Sequence, residues 1–140
     1  MGQTTLSGPL RVGPIKEGPS SNVGKVLLTQ QVAWVQSTTA VSTGIILPAN
    51  ATLVDVQVVI TTACDGASQN MSMGTTATST ELFTALALGT AANTIFFGSA
   101  GTITDADVWS SVGAAAVTLF VDFSAGSAGR GNLVVQYIQN

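Results

Sequence analysis

The amino-acid sequence predicts an all-β fold, a jelly-roll-like antiparallel β-sandwich preceded by an extended N-terminal arm. From residue 25 onward, short runs of β-branched and aromatic residues are separated by clusters of Gly, Ser, Asn and Ala, as in antiparallel sandwiches and barrels. Such a series of short runs suits a two-sheet sandwich, and the jelly roll is the common eight-stranded form. A chain of 140 residues has the length of a single domain, and it is long enough to bury a hydrophobic core. We therefore divide the chain into an arm, residues 1–24, and a β-sandwich domain, residues 25–140.

Proline and glycine mark the arm. Pro9, Pro14 and Pro19 are three of the four prolines in the chain. Each disfavours a helix at the residue before it, and the glycines between them loosen what remains. These residues predict an extended, PPII-like segment outside the core.

The charge of the arm differs from that of the sandwich domain. Three of the four cations lie in it or at its end, whereas the chain from residue 26 onward has six acids and a single arginine. The apolar side chains between the prolines favour docking on a partner over a terminus without function. The residues predicted to bind are Leu10, Arg11, Val12, Ile15, Lys16 and Lys25.

The clearest strand is the segment 52–63. Its even positions are apolar and alternate with more polar odd positions, which predicts one continuous buried face. That face consists of Val54, Val56, Val58 and Ile60. The other predicted strands are 25–35, 44–48, 70–75, 80–90, 93–98, 101–104, 117–123 and 132–139.

Two of these predictions rest on weaker patterns. In segment 80–90 the leucines fit helical spacing as well as strand alternation, and we interpret it as a strand. The glycine-rich connector 124–131 has alternating strands on both sides, which indicates a hairpin between the last two strands.

The composition argues against most kinds of chemistry. Histidine is absent, which removes imidazole catalysis, Ser-His-Asp and Cys-His nucleophile systems and His-ligated zinc. We expect no enzyme activity and no cofactor. Four cations are too few for non-specific nucleic-acid binding, and no apolar stretch is long enough to span a membrane. The first residues also lack the pattern of a signal peptide.

Only 8% of the residues are charged, and mean hydropathy is +0.47. Such a composition favours a protein that lies in contact with others, because few charges must be desolvated when its faces are buried. It also favours self-association, which we expect to produce a trimer.

A few side chains have two interpretations. Asp105 and Asp107 fit a polar turn before a short strand or helical turn, or a weak calcium site. Trp34 and Trp109 fit packing in a core or interface, or stacking on a sugar ring. Cys64 is alone and fits a small buried hydrophobe.

Four short motifs carry a resemblance. They are LPANATLVDV at 47–56, ITTA at 60–63, MGT at 73–75 and the ending NLVVQY at 132–137. In this spacing the chain resembles the small jelly-roll proteins of tailed-phage structural modules, over residues 44 to 139 apart from the middle. These motifs are structural, so they indicate the fold more specifically than the role.

The resemblance implies a capsid decoration, or cement, protein: a structural virion protein, often a homotrimer, on the capsid exterior. Its implied partner is the major capsid protein, and it would be made in the host cytoplasm. The alternative is a head-fibre, spike or tail-associated module with a host-adhesion or carbohydrate-binding role, since such components use similar folds.

Overall fold

Two antiparallel sheets pack face to face in the structure, a computed structural model that describes residues 26–66, 69–78, 80–89 and 91–139. The described chain also has a 3-10 turn, Gly98–Ala100, and one helical turn, α1, Ala106–Ser110. In chain order its strands are β1 (Leu27–Val35), β2 (Val41–Leu47), β3 (Thr52–Thr62), β4 (Asn70–Gly74), β5 (Phe83–Ala87), β6 (Thr94–Phe97), β7 (Thr102–Ile103), β8 (Val117–Phe123) and β9 (Arg130–Ile138).

The strand order confirms the predicted fold class. One sheet has four strands in the order β1-β9-β3-β6, and the other has five in the order β2-β8-β4-β5-β7. The chain crosses between the sheets at most of its connections, as in a jelly-roll-like sandwich. The predicted arm, residues 1–24, lies outside the described residues.

The predicted hairpin between the last two strands is wrong. Strands β8 and β9 lie in different sheets, and β9 pairs with β1 on one side and β3 on the other. The glycine-rich connector is therefore a bridge between the sheets. Turn residues indicate that a chain reverses but do not specify which strand it then joins. Here the pairing of β9 with two long strands, β1 and β3, determines its position.

The buried face of β3 differs from the predicted one at its start, because the strand contains a bulge. Val56, Val58 and Ile60 are fully buried, as predicted, but Val54 is 47% exposed and Leu53 takes its place in the core. The pairing of β3 with β9 shifts register between Leu53 and Asp55. An extra residue at this point reverses which side chains face inward.

Segment 80–90 contains a strand, as predicted, and a bulge explains its ambiguous pattern. Ala85 has a positive φ of 55°, and the β4–β5 pairing shifts register nearby. This lets Phe83 and Leu86 both point into the core. Inward residues three apart resemble a helical repeat, although the backbone is a strand.

Candidate interaction surfaces

The two aspartates considered for calcium binding are part of a helical turn. Asp105 caps α1, and its Oδ1 accepts a hydrogen bond of 2.9 Å from the backbone N–H of Asp107. Within the described ranges, no group of three or more Cys, Asp or Glu side chains is placed to hold a metal ion. The described helices are also too short to cross a membrane.

The tryptophans pack against the core. Trp34 is 4% exposed, and its ring centroid lies 5.1 Å from that of Phe123. Trp109 is half-buried, and its Nε1 donates to the carbonyl of Leu82 over 3.0 Å. The packing interpretation is therefore confirmed, most plainly for Trp34.

Cys64 is buried, as predicted for a small hydrophobe. Burial, and secondarily the negative charge of Asp65, raises the pKa of its thiol. Because the thiolate is the reactive form, this environment lowers the reactivity of the side chain.

The buried amide of Gln36 joins three segments at one end of the sandwich. It is 2% exposed, at the end of β1. Its Oε1 accepts from the backbone N–H groups of Gly129 (2.8 Å) and Asp65 (3.2 Å), and its Nε2 donates to the carbonyls of Asp65 (2.9 Å) and Ala125 (2.5 Å). One side chain thus connects β1 to the β3–β4 connection and to the β8–β9 loop. Sequence analysis missed this residue, because burial of a glutamine has no local pattern.

Asp65 holds the same loop from the other side. Its Oδ1 accepts from the backbone N–H groups of Ser127 (2.7 Å) and Ala128 (2.8 Å). The hydrogen bond from Ala128 and then that from Ser127 hold the pKa of this carboxyl below its usual value. The role is structural, since both donors belong to the loop itself.

Glu81 organises the turn before β5 in a similar way. Burial alone would raise its pKa, but hydrogen bonds outweigh that effect and lower the pKa. The donors are the hydroxyl groups of Thr76 and Thr78 and the backbone N–H of Thr75.

One surface with few charges is the outer face of the four-stranded sheet. We call it the flat face, and it is formed by the outward side chains of β1, β9, β3 and β6. The register aligns these side chains in rows across the sheet; one row is Ala33, Asn132, Val59 and Ile95, and the next is Gln31, Val134, Gln57 and Phe97. The other members on the same side of the sheet are Leu27, Thr29, Val35, Asp55, Arg130, Gln136 and Ile138.

The flat face combines exposed apolar side chains with few charges. Ile95 is 57% exposed, and Phe97, Val35 and Leu27 are each 49% exposed. Its charged residues are Asp55 and Arg130. They lie at different ends of the face, because Arg130 pairs with Val35 whereas Asp55 pairs with Gln136 three rows away.

A cavity of about 260 Å³ lies between β1 and β2, which are edge strands of the two sheets on the same side of the sandwich. Trp34, Gln36 and Val41 are among its lining residues. Farther along the same side, Gln30 closes the gap by donating to the carbonyl of Ile46 (2.8 Å) and to the hydroxyl of Tyr137 (3.0 Å).

The residues predicted to form the docking arm lie outside the described residues, so the structure brings none of them to a described surface. They are Leu10, Arg11, Val12, Ile15, Lys16 and Lys25.

Two solved structures from phage capsids share this fold. A chain described as "Capsid of Ralstonia phage GP4" superposes with a TM-score of 0.60 at 16% identity, covering 90% of this chain and 91% of that chain. A chain described as "Cyanophage Pam1 capsid asymmetric unit" gives a TM-score of 0.51 at 16% identity, covering 96% of this chain and all of that one. No family model and no curated protein matches the sequence.

Proposed function

We propose that this chain is a structural virion protein of a tailed phage, which binds the outside of the capsid and stabilises contacts between major capsid subunits. The observation that carries the proposal is the fold shared with a phage-capsid chain over nine tenths of both chains. The likeness therefore extends over the whole domain, and the sequence motifs point independently to the same class of protein.

The surface chemistry supports a role in binding a shell over a role in catalysis. Three of the described carboxylates are engaged in local structure: Asp105 caps a helix, and Asp65 and Glu81 accept hydrogen bonds from neighbouring loop residues. Sparse charge lets large faces be buried with little desolvation cost.

In the proposed attachment, residues 1–24 form an arm that lies across the shell. Leu10 and Ile15 would contribute most, because fully burying one such side chain stabilises by about 1.5–3 kcal/mol, less the cost of ordering the backbone. Ion pairs of Arg11 and Lys16 at the solvent-exposed edge of the contact with the shell would contribute roughly 0–1 kcal/mol each and would weaken with salt. Several copies gathered as a trimer would bind more tightly through avidity.

The test is binding of purified full-length protein to particles that lack it, measured by co-sedimentation. Deletion of residues 2–20 should abolish or strongly weaken binding. Leu10→Ser with Ile15→Ser should weaken it at all salt concentrations, and Arg11→Ala with Lys16→Ala mainly at low salt. The matched control within the arm is Ser20→Ala with Ser21→Ala, which removes neither charge nor apolar area and should bind as wild type.

The same variants separate the arm from the fold. Each should keep the wild-type melting transition, because the arm is proposed to lie outside the core. A deletion that binds as tightly as the full chain, or that unfolds the domain, would contradict the proposed attachment. Loss of host adsorption with unchanged shell binding would instead favour a fibre or tail-associated role.

A further inference from the structure

We infer that the flat face pairs with the flat face of a second copy of this chain about a two-fold axis. The inference begins with charge. Besides Asp55, the acids of the domain are Asp65, Glu81, Asp105, Asp107 and Asp122, and Arg130 is its cation from residue 26 onward. The charged side chains of the described residues outside the flat face are therefore all negative, and two copies that met through them would form no pair of opposite charges.

The flat face is the exception, because it holds one charge of each sign. Asp55 pairs with Gln136, which is three rows and therefore six residues along β9 from Arg130. At about 3.3 Å per residue this corresponds to roughly 20 Å. A two-fold axis in the plane of the face, perpendicular to the strands and midway between these two residues, places each Asp55 opposite Arg130 of the other copy. The pair of Asp55 with Arg130 then occurs twice in the dimer, as an isologous contact requires.

The same axis also brings the exposed apolar side chains together. It runs between the row of Val59 and Ile95 and the row of Gln57 and Phe97. Rotation about it lays β6 over β6 of the second copy, so that Ile95 meets the partner's Phe97. These two side chains are about half exposed or more in the single chain. One axis therefore satisfies both the charges and the apolar side chains.

The size of the face sets the strength of the contact. The strands are about 4.8 Å apart, and β1, β3, β9 and β6 have 9, 11, 9 and 4 residues, so at about 3.3 Å per residue the face has an area on the order of 500 Å² per copy. A pair then buries on the order of 1,000 Å², the lower limit for a specific interface. The pairing is thus weak in dilute solution and is favoured where copies are concentrated. A trimer built through another surface would be joined to a second trimer by this face.

The test is the mass of the full-length protein by sedimentation equilibrium from micromolar to near-millimolar concentration. Masses of two or six times 14.1 kDa at high concentration support the pairing. Asp55→Arg or Arg130→Asp should each raise the dissociation constant of this step about tenfold or more, and the double reversal should restore it, because opposite charges meet again. High salt should reduce the effect of the single reversals.

Phe97→Ser tests the apolar half of the contact and should also weaken pairing about tenfold or more. The matched control is Ile46→Ser on the outer face of the other sheet, where Ile46 is 55% exposed, and it should change nothing. Melting transitions confirm that each variant folds. Masses of only one or three copies at every concentration, or a double reversal that stays as weak as the single ones, would overturn the inference. So would a Phe97→Ser variant that loses shell binding while its mass equals that of wild type, since the face would then bind the shell instead.

Discussion

Replacing Gln36 should destabilise the whole domain, although the residue lies at the end of an edge strand. The proposed change is Gln36→Met, which keeps the length of the side chain and removes both polar atoms. Four hydrogen bonds are lost to the backbone groups of Gly129, Asp65 and Ala125.

The magnitude follows from the burial of those groups. The N–H of Gly129 is in a buried bond and would be left without a partner, which costs about 1–3 kcal/mol. The other three bonds are partly buried, so water can replace them in part, and each contributes roughly 0.5 kcal/mol. The expected loss in the free energy of unfolding is therefore about 2–5 kcal/mol.

Urea denaturation followed by circular dichroism measures this loss, provided that the slope of the transition is unchanged. The matched control is Gln31→Met, on the same strand but on the exposed side, where the change should stay within about 0.5 kcal/mol. A loss below about 1 kcal/mol for Gln36→Met would refute the role assigned to this amide.

Three further predictions concern packing, pH and metal content. Gly131→Ala should lower the free energy of unfolding by about 1–3 kcal/mol, measured by thermal melting, because the added Cβ would overlap the carbonyl oxygen of Val59 and lie 2.8 Å from two ring carbons of Trp34. The folded-state pKa values of Asp65 and Glu81 lie below their usual values, so their stabilising contribution is complete above the unfolded pKa and is lost as the pH falls through the folded pKa. The urea concentration at the midpoint of unfolding should therefore decrease as the pH is lowered below about 4 in wild type. It should decrease less in the double variant Asp65→Asn with Glu81→Gln. The same dependence of the midpoint on pH in both proteins would contradict this. Elemental analysis of the purified protein should find no stoichiometric zinc, iron or copper, and a full equivalent of any of them would contradict the structural role.

Patterns that depend on neighbouring residues were sufficient to predict most of the sandwich. The alternation in β3 predicts the buried side chains Val56, Val58 and Ile60, because successive side chains of a strand point to opposite faces of the sheet. It fails at Val54, where a bulge reverses the pattern. A bulge is set by the pairing with another strand, so the sequence of one strand does not reveal it.

Contacts between distant segments could not be predicted in the same way. The connector before β9 reads as a hairpin turn, yet Gln36 and Asp65 hold it as a bridge between sheets. Those two residues lie 93 and 62 positions from their partners in the loop. The flat face likewise emerges only from the register of four strands, which places Asp55 and Arg130 on one surface.

Counting copies in purified virions tests the proposed virion role most directly. Gel densitometry or quantitative mass spectrometry of filled heads gives the ratio of this chain to the major capsid protein. A decoration protein must be present in stoichiometric amounts, in a fixed ratio to the shell subunits from one preparation to the next. Only a few copies per particle, or none, would contradict the account.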